Sequence, residues 1–257
     1  MLTLKEIENQ YPENLRSRKR YVLREYLQYK ILELIFNSSY AGKLSFLGGT
    51  ALRIVYGHAR FSEDLDFDNF DLTEDDFNGL TEEVRKGMTK LGFEAEIRNV
   101  FKGAFRCYLR IPKVLLDNDL AVMPDEKMLI QIDTAAHGFA YEPDKKILNK
   151  FDVFTQIFST PPDILLSQKI CAIFGRKRAK GRDFYDTVFL LGQTKPNYDY
   201  LKLKLNINNW NDAKKKLLSE TENLDFEDLA RDVEQFLFSP SDAKKVTMFR
   251  DYIGQLE

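Results

Sequence analysis

The sequence predicts an α+β chain, a mixed-sheet domain over residues 1–150 followed by a helical domain over 151–257. Three observations carry this. An apolar strand, Leu44, Phe46 and Leu47, runs into the turn Gly48-Gly49-Thr50. Strand-like alternation recurs between residues 93 and 133, and past about residue 150 it gives way to three- and four-residue apolar spacing.

The first predicted helix covers residues 18–37, where Tyr21, Val22, Tyr26, Leu27, Ile31, Leu34 and Ile35 recur at helical spacing. After the Leu44–Leu47 strand, two glycines let the backbone turn tightly and approach a ligand with no Cβ in the way. Ala51, Leu52, Ile54 and Val55 then begin a helix. N–H groups at its start, with the Thr50 hydroxyl, suit the terminal phosphates of a nucleotide. Thirteen residues separate Thr50 from Asp64-Leu65-Asp66-Phe67. The strand period of two puts both carboxylates on one face and turns Leu65 and Phe67 to the core. Paired hard oxygen donors suit Mg²⁺, which also takes oxygens from substrate phosphates. Asp68 and Asp71, in an acidic stretch, are expected to be solvated.

Thr73 with Asp76 marks a helix start, and residues 74–91 form a charged helix ending near Gly92. Strands follow over 93–101 and 104–111, with Gly103 between them, and over 127–133. In the last of these, Leu129, Gln131 and Asp133 share one face and Met128, Ile130 and Ile132 the other. Asp133 therefore stands at a strand end where a third carboxylate could join Asp64 and Asp66. The competing reading is an aspartate that begins a turn.

In the helical part, Thr160-Pro161 reads as an N-cap with proline at the first helical position. The helix carries Ile164, Leu165, Leu166, Ile170, Cys171 and Ile173 inward, with Lys169 among them. A basic run, Arg176, Lys177, Arg178, Lys180 and Arg182, leads to Asp183-Phe-Tyr-Asp186, whose two acids share a helix face at i, i+3. Further amphipathic helices are expected near 211–219, 225–238 and 241–255, with Trp210 as a core or cap residue.

Composition sets the outer limits. The chain has 257 residues, 44% of them apolar, and a net charge of −2, so any nucleic-acid surface must be local. Cys107 and Cys171 lie in apolar segments without metal-type spacing and read as buried thiols. Only two histidines, His58 and His137, are present, which argues against a histidine-based zinc site or catalytic triad. The N-terminus lacks an apolar h-region and no apolar run could span a bilayer, so the expectation is a soluble, cytoplasmic protein with no membrane partner.

Gly48-Gly-Thr-Ala-Leu, Tyr56-Gly and Arg60-x-Ser62-x-Asp64-Leu-Asp-Phe together resemble the AbiEii/AbiGii abortive-infection toxins of the nucleotidyltransferase superfamily. Lys169-x-x-Ala172 and Arg182-Asp183-x-x-Asp186 are similar to the downstream motifs of the same family. The resemblance spans roughly residues 43 to 192, in a chain short for the group. It implies a nucleotidyltransferase domain and a helical domain closing an NTP cleft, with Mg²⁺ or Mn²⁺ as cofactor. It also implies a toxin paired with an antitoxin, often a winged-helix regulator, and transfer of a nucleotide to RNA such as the tRNA 3′ end. On this reading Asp64, Asp66 and Asp133 bind metal, and Gly48, Gly49 and Thr50 cradle phosphates. Lys169 offsets triphosphate charge, Asp183 positions Lys169 or binds nucleotide, and Arg182 and Asp186 support them. Arg176, Lys177, Arg178 and Lys180 are the candidate RNA contacts. Transfer to a protein or small-molecule hydroxyl, or a non-catalytic NTP-binding module, are the alternatives.

Overall fold

Residues Met1–Glu257 are all described by the structure, a computed structural model. The chain divides into two units, Met1–Gly57 with Phe61–Thr160 and His58–Arg60 with Pro161–Glu257.

The first unit contains α1 (Leu4–Glu8), α2 (Glu13–Arg16), α3 (Lys19–Phe36), α4 (Gly48–Ile54) and α5 (Glu74–Lys90). Its strands are β1 (Leu44–Leu47), β2 (Leu65–Asn69), β3 (Glu96–Lys102), β4 (Ala104–Ile111), β5 (Met128–Ala135), β6 (Asp144–Lys150) and β7 (Val153–Ser159). They form one mixed sheet in the order β3-β4-β5-β2-β1-β7-β6. β2 is antiparallel to β1 and parallel to β5, so the Asp-x-Asp strand lies beside the strand carrying Asp133.

One face of this sheet is covered by helices. Phe36 of α3 packs on Phe67 and Phe158, each at 6.1 Å between ring centroids. Phe77 of α5 lies 6.0 Å from Phe101 and 5.7 Å from Phe105. Asn99 of β3 donates to Asn78 and Thr81 of α5, both at 2.8 Å. α5 begins at the predicted cap, where the Thr73 hydroxyl accepts from the Asp76 N–H and the Asp76 carboxylate accepts in return. Because side chains alternate across a strand, Asp66, Asp133, Arg106, Tyr108 and Arg110 fall on the opposite face.

The second unit is built from α6 (Pro162–Gly175), α7 (Gly181–Leu191), α8 (Tyr198–Leu205), α9 (Trp210–Glu220), α10 (Phe226–Glu234), α11 (Lys244–Thr247) and α12 (Phe249–Gln255). Phe184 of α7 anchors its core, with Phe249 at 4.9 Å and Phe226 at 5.3 Å. A Cβ at Gly181 would meet the Leu229 carbonyl oxygen at 1.8 Å, so glycine is required where α7 starts against α10. The strap His58–Arg60 joins this unit: the Phe238 N–H donates to the Ala59 carbonyl at 3.1 Å, and Arg60 bridges Leu237.

Several expectations change in detail. Strand structure continues past residue 150: β6, absent from the sequence pattern, pairs with β7 at the sheet edge. Pro161 rather than Thr160 occupies the N-cap of α6. The Thr160 hydroxyl instead lies 3.0 Å from that of Ser45 and 2.9 Å from that of Tyr141. The helix expected over 241–255 is a 3₁₀ turn followed by α11 and α12. No helix is long and apolar enough to cross a membrane.

Candidate nucleotide and metal site

Strand register places the key acids side by side. Leu47, Asp66, Asp133, Arg106 and Val100 form one cross-strand row over five strands. Adjacent strands lie about 4.8 Å apart, so Asp66 and Asp133 present their carboxylates to the same space. Both are half-buried, as is Asp64. The turn that follows β1 abuts them: Gly48 has φ +77°, and a Cβ there would meet Asp66 Oδ2 at 2.3 Å. Glycine is therefore needed twice over, for its conformation and for the space Asp66 occupies.

Asp133 is held by neighbours. Arg106 Nε donates to its two oxygens at 3.0 and 3.1 Å, and Gln131 Nε2 donates to Oδ2 at 2.8 Å. The hydrogen bond to Asp133 holds the Arg106 guanidinium firmly in its charged form, with a contribution from the Tyr108 hydroxyl. The donors of Asp64, Asp66 and Asp133 are all hard carboxylate oxygens, the chemistry that Mg²⁺ or Mn²⁺ requires. No three of the carboxylates, histidines and cysteines are gathered closely enough to form a finished cage. The donor set fits a metal that also draws ligands from substrate phosphates, with Arg106 standing in as the cation at Asp133.

The Thr50 hydroxyl has a different task from the one its position suggested. It is fully buried and donates to the Asp64 backbone carbonyl at 2.5 Å. It fixes the start of β2 to the glycine turn, leaving backbone N–H groups as what the turn can offer a phosphate. Asp68 also departs from expectation. It is 1% exposed, and its Oδ1 accepts from the N–H groups of His137 and Asn69, both at 3.0 Å. The strand alternation that carries Asp66 to the open face carries Asp68 there too, where residues 137–141 cover it.

In the helical unit, Asp186 is fully buried between three cationic or polar partners. Arg60 grips it with two hydrogen bonds, Nε to Oδ1 at 2.6 Å and an Nη to Oδ2 at 2.7 Å. His58 Nε2 lies 3.0 Å from Oδ1 and Lys169 Nζ 2.8 Å from Oδ2. Burial alone would raise the Asp186 pKa, but Arg60 and Lys169 hold it well below the usual carboxylate range. Burial likewise works against charge on Lys169, and Asp186 and Asp183 overcome it to raise the ammonium pKa. Asp183 sits 3.4 Å from Lys169 and accepts from Arg176 Nε at 2.5 Å. Arg182 stacks over the Phe236 ring at 4.8 Å.

The predicted residues thus form two groups, one in each unit. Gly48, Asp66 and Asp133 adjoin in the first, with Thr50 tied to the Asp64 backbone and Gly49 between. Lys169, Arg176, Asp183 and Asp186 converge in the second, whereas Arg182 lies over Phe236. Lys177 and Arg178 are exposed on the loop leading to α7, and Lys180 is half-buried there. Arg178 borders a cavity also lined by Asp225, Asp228 and Asp232, a poor setting for a polyanion. Sequence reasoning gave no role to Arg106, Gln131, His58 or Arg60. For Arg106 a signal existed in the alternation of Arg106, Tyr108 and Arg110 with Cys107, Leu109 and Ile111. For His58 and Arg60, whose partner lies more than 120 residues away, local pattern held none.

JHP933 from Helicobacter pylori is similar in fold, with a TM-score of 0.58 and 19% identity covering 91% of each chain. A second H. pylori structure, described as a candidate nucleotidyltransferase, gives a TM-score of 0.53 at 20% identity over 92% of this chain and 97% of that one. No curated protein matches the chain in sequence. The family described as nucleotidyl transferase AbiEii toxin, type IV TA system, matches over residues 30–254. With that match spanning both groups of site residues, the chain belongs to the AbiEii nucleotidyltransferase toxin family of type IV toxin–antitoxin systems.

Proposed function

We propose that this protein transfers a nucleotide from an NTP to an RNA hydroxyl, such as the 3′ end of a tRNA, in a divalent-cation-dependent reaction. The observation that carries this reading is the register of Asp66 against Asp133 with the Gly48 turn closed over Asp66. Asp64, Asp66 and Asp133 would hold Mg²⁺ or Mn²⁺, which when bound neutralises charge building at the α-phosphate. Backbone N–H groups of Gly48, Gly49 and Thr50 orient the terminal phosphates. Asp133 receives the proton of the attacking hydroxyl as its oxygen bonds to the α-phosphorus and pyrophosphate leaves. Lys169, kept charged by Asp183 and Asp186, supplies positive charge to the triphosphate, and Arg182 supports that region of the helical unit. The unit that carries the seven-stranded sheet, and that runs to Thr160 rather than to residue 150, is then the catalytic domain, and the helical unit the one that supplies Lys169. The family implies an antitoxin partner; we propose a winged-helix protein for it, and a cytoplasmic site of action.

The test is to incubate the protein with each α-labelled NTP and a cell extract. Label entering RNA, and lost in Asp66→Asn, is the expected result. Label in protein or small molecules would replace the acceptor, and NTP binding without any transfer would reduce the chain to a nucleotide-binding module.

A further inference from the structure

The uncovered face of the sheet continues outward from the carboxylate row. On β4 it carries Arg106, Tyr108 and Arg110; on β3, Arg98, Val100 and Lys102. Register puts Arg98 beside Tyr108 and Arg110 beside Glu96, the latter neutralised by Lys127 at 2.8 Å. The opposite face of these strands is fixed against α5 through Phe101, Phe105 and Asn99, while on the first face Arg98 and Lys102 are exposed and Arg106, Tyr108 and Arg110 half-buried.

The charges on this face are unequal in their commitments. Arg106 is bound to Asp133. Arg98, Lys102 and Arg110 have no carboxylate partner, and the Arg110 guanidinium rests 5.8 Å from the centroid of Tyr108. Unneutralised cations around an accessible aromatic ring form a surface that tracks phosphates and stacks bases. The surface begins one strand away from Asp133. The net charge of the whole chain is −2, so this is a local feature and not a general basic character.

From this arrangement we infer that the β3–β4 face is the binding site for the single-stranded end of the acceptor RNA. Arg98, Arg110 and Lys102 hold its phosphates and Tyr108 stacks a base, which directs the terminal hydroxyl toward Asp66 and Asp133. The inference rests on the RNA-transfer reading above but places the strand on the sheet rather than on the Arg176–Lys180 loop, where Arg176 is tied to Asp183 and Arg178 borders three aspartates.

The experiment measures binding of a labelled RNA with a single-stranded 3′ end, without NTP or metal, across a salt series. The double variant Arg98→Gln/Arg110→Gln is expected to weaken binding about tenfold and to flatten the log–log salt slope by about 1.4, the share of two single-strand phosphate contacts. Tyr108→Ala should cost about tenfold for the single strand and nothing for a blunt duplex of equal length. Lys177→Gln/Arg178→Gln should match the wild type. All substituted positions are at least partly exposed, and unchanged melting temperatures verify folding. Unchanged affinity in the Arg98/Arg110 variant, or equal loss of duplex binding in Tyr108→Ala, overturns the inference. Labelled-NTP transfer run in parallel separates the two failures. Transfer to RNA with unchanged binding removes only the face, whereas no transfer to any RNA removes the acceptor reading itself.

Discussion

Asp66 and Asp186 are the same residue type in the same kind of company, a second aspartate nearby and a cation at hand, yet their surroundings set them opposite tasks. Asp66 is half-buried on the sheet face opposite the helices, in register with Asp133, whose partner Arg106 is 41% exposed. Asp186 has no exposed surface, and Arg60, Lys169 and His58 occupy both its oxygens. The first pair is held at a half-buried site whose arginine reaches solvent. The other is already neutralised by its own chain. A carboxylate's sequence motif therefore says less about its role than the burial the fold gives it.

The comparison breaks most visibly at Asp186. Asp186→Ala leaves Arg60 and Lys169 buried without their counter-ion, which should cost about 3–5 kcal/mol of stability. The loss would be read as a large fall in the urea midpoint, a readout independent of the hold that Asp186 has on Lys169. A midpoint near the wild-type value would mean that Asp186 serves a ligand and not the fold.

Asp66→Asn should do the reverse. The amide keeps the shape tucked against Gly48, so the melting temperature should barely move. Transfer should fall by more than about 100-fold, beyond what loss of an outer partner of a metal costs. Retained transfer would sink the metal assignment at that residue.

Arg106→Gln sharpens the first half of the comparison. The pair with Asp133 is 41% exposed on the arginine side, so its net worth is about 0.2–1 kcal/mol. Releasing Asp133 should tighten binding of Mn²⁺ alone by about two- to fivefold, measured by calorimetry. Weaker binding in the variant would mean that Arg106 orients Asp133 for the metal instead of competing with it.

How much of this was legible in sequence follows the range of the interactions. The Gly48 turn, the spacing to Asp66 and the capping box at Thr73 are local, and local pattern was enough for them. The alternation of β5 put Asp133 on a definite face, but only strand order could set β5 beside β2. Asp68 was misread as solvated because its cover comes from residues 137–141, beyond any local window. The strap His58–Arg60 was the least legible, since three residues inside the motif region belong to the helical unit and their partner is on α7. Thr50 shows that a correct motif can still mislead about an atom: its hydroxyl fastens Asp64 and does not face outward.

The smallest effect isolates the histidine in the Asp186 cluster. His58 is stacked against Tyr185 at 4.7 Å and Phe189 at 3.9 Å, and burial lowers its pKa even though Asp186 favours the charged form. The unfolded chain takes up a proton at His58 below about pH 6.5, whereas the folded chain does not until a lower pH. Stability should therefore fall as pH drops below about 6.5, with a slope up to about 1.4 kcal/mol per pH unit from this one group. Asp186 contributes with the same sign in a lower window: its depressed pKa adds stability above about pH 4 that is lost only in stronger acid, below the histidine window. His137 is the only other histidine, so the difference between wild type and His58→Phe over pH 5 to 6.5 reads His58 alone. Phenylalanine keeps the stacking and gives up the hydrogen bond, so its baseline should be lower and its pH slope shallower. An equal slope in both proteins would mean that His58 takes up its proton inside the cluster, making Asp186 a carboxylate with three positive partners instead of two.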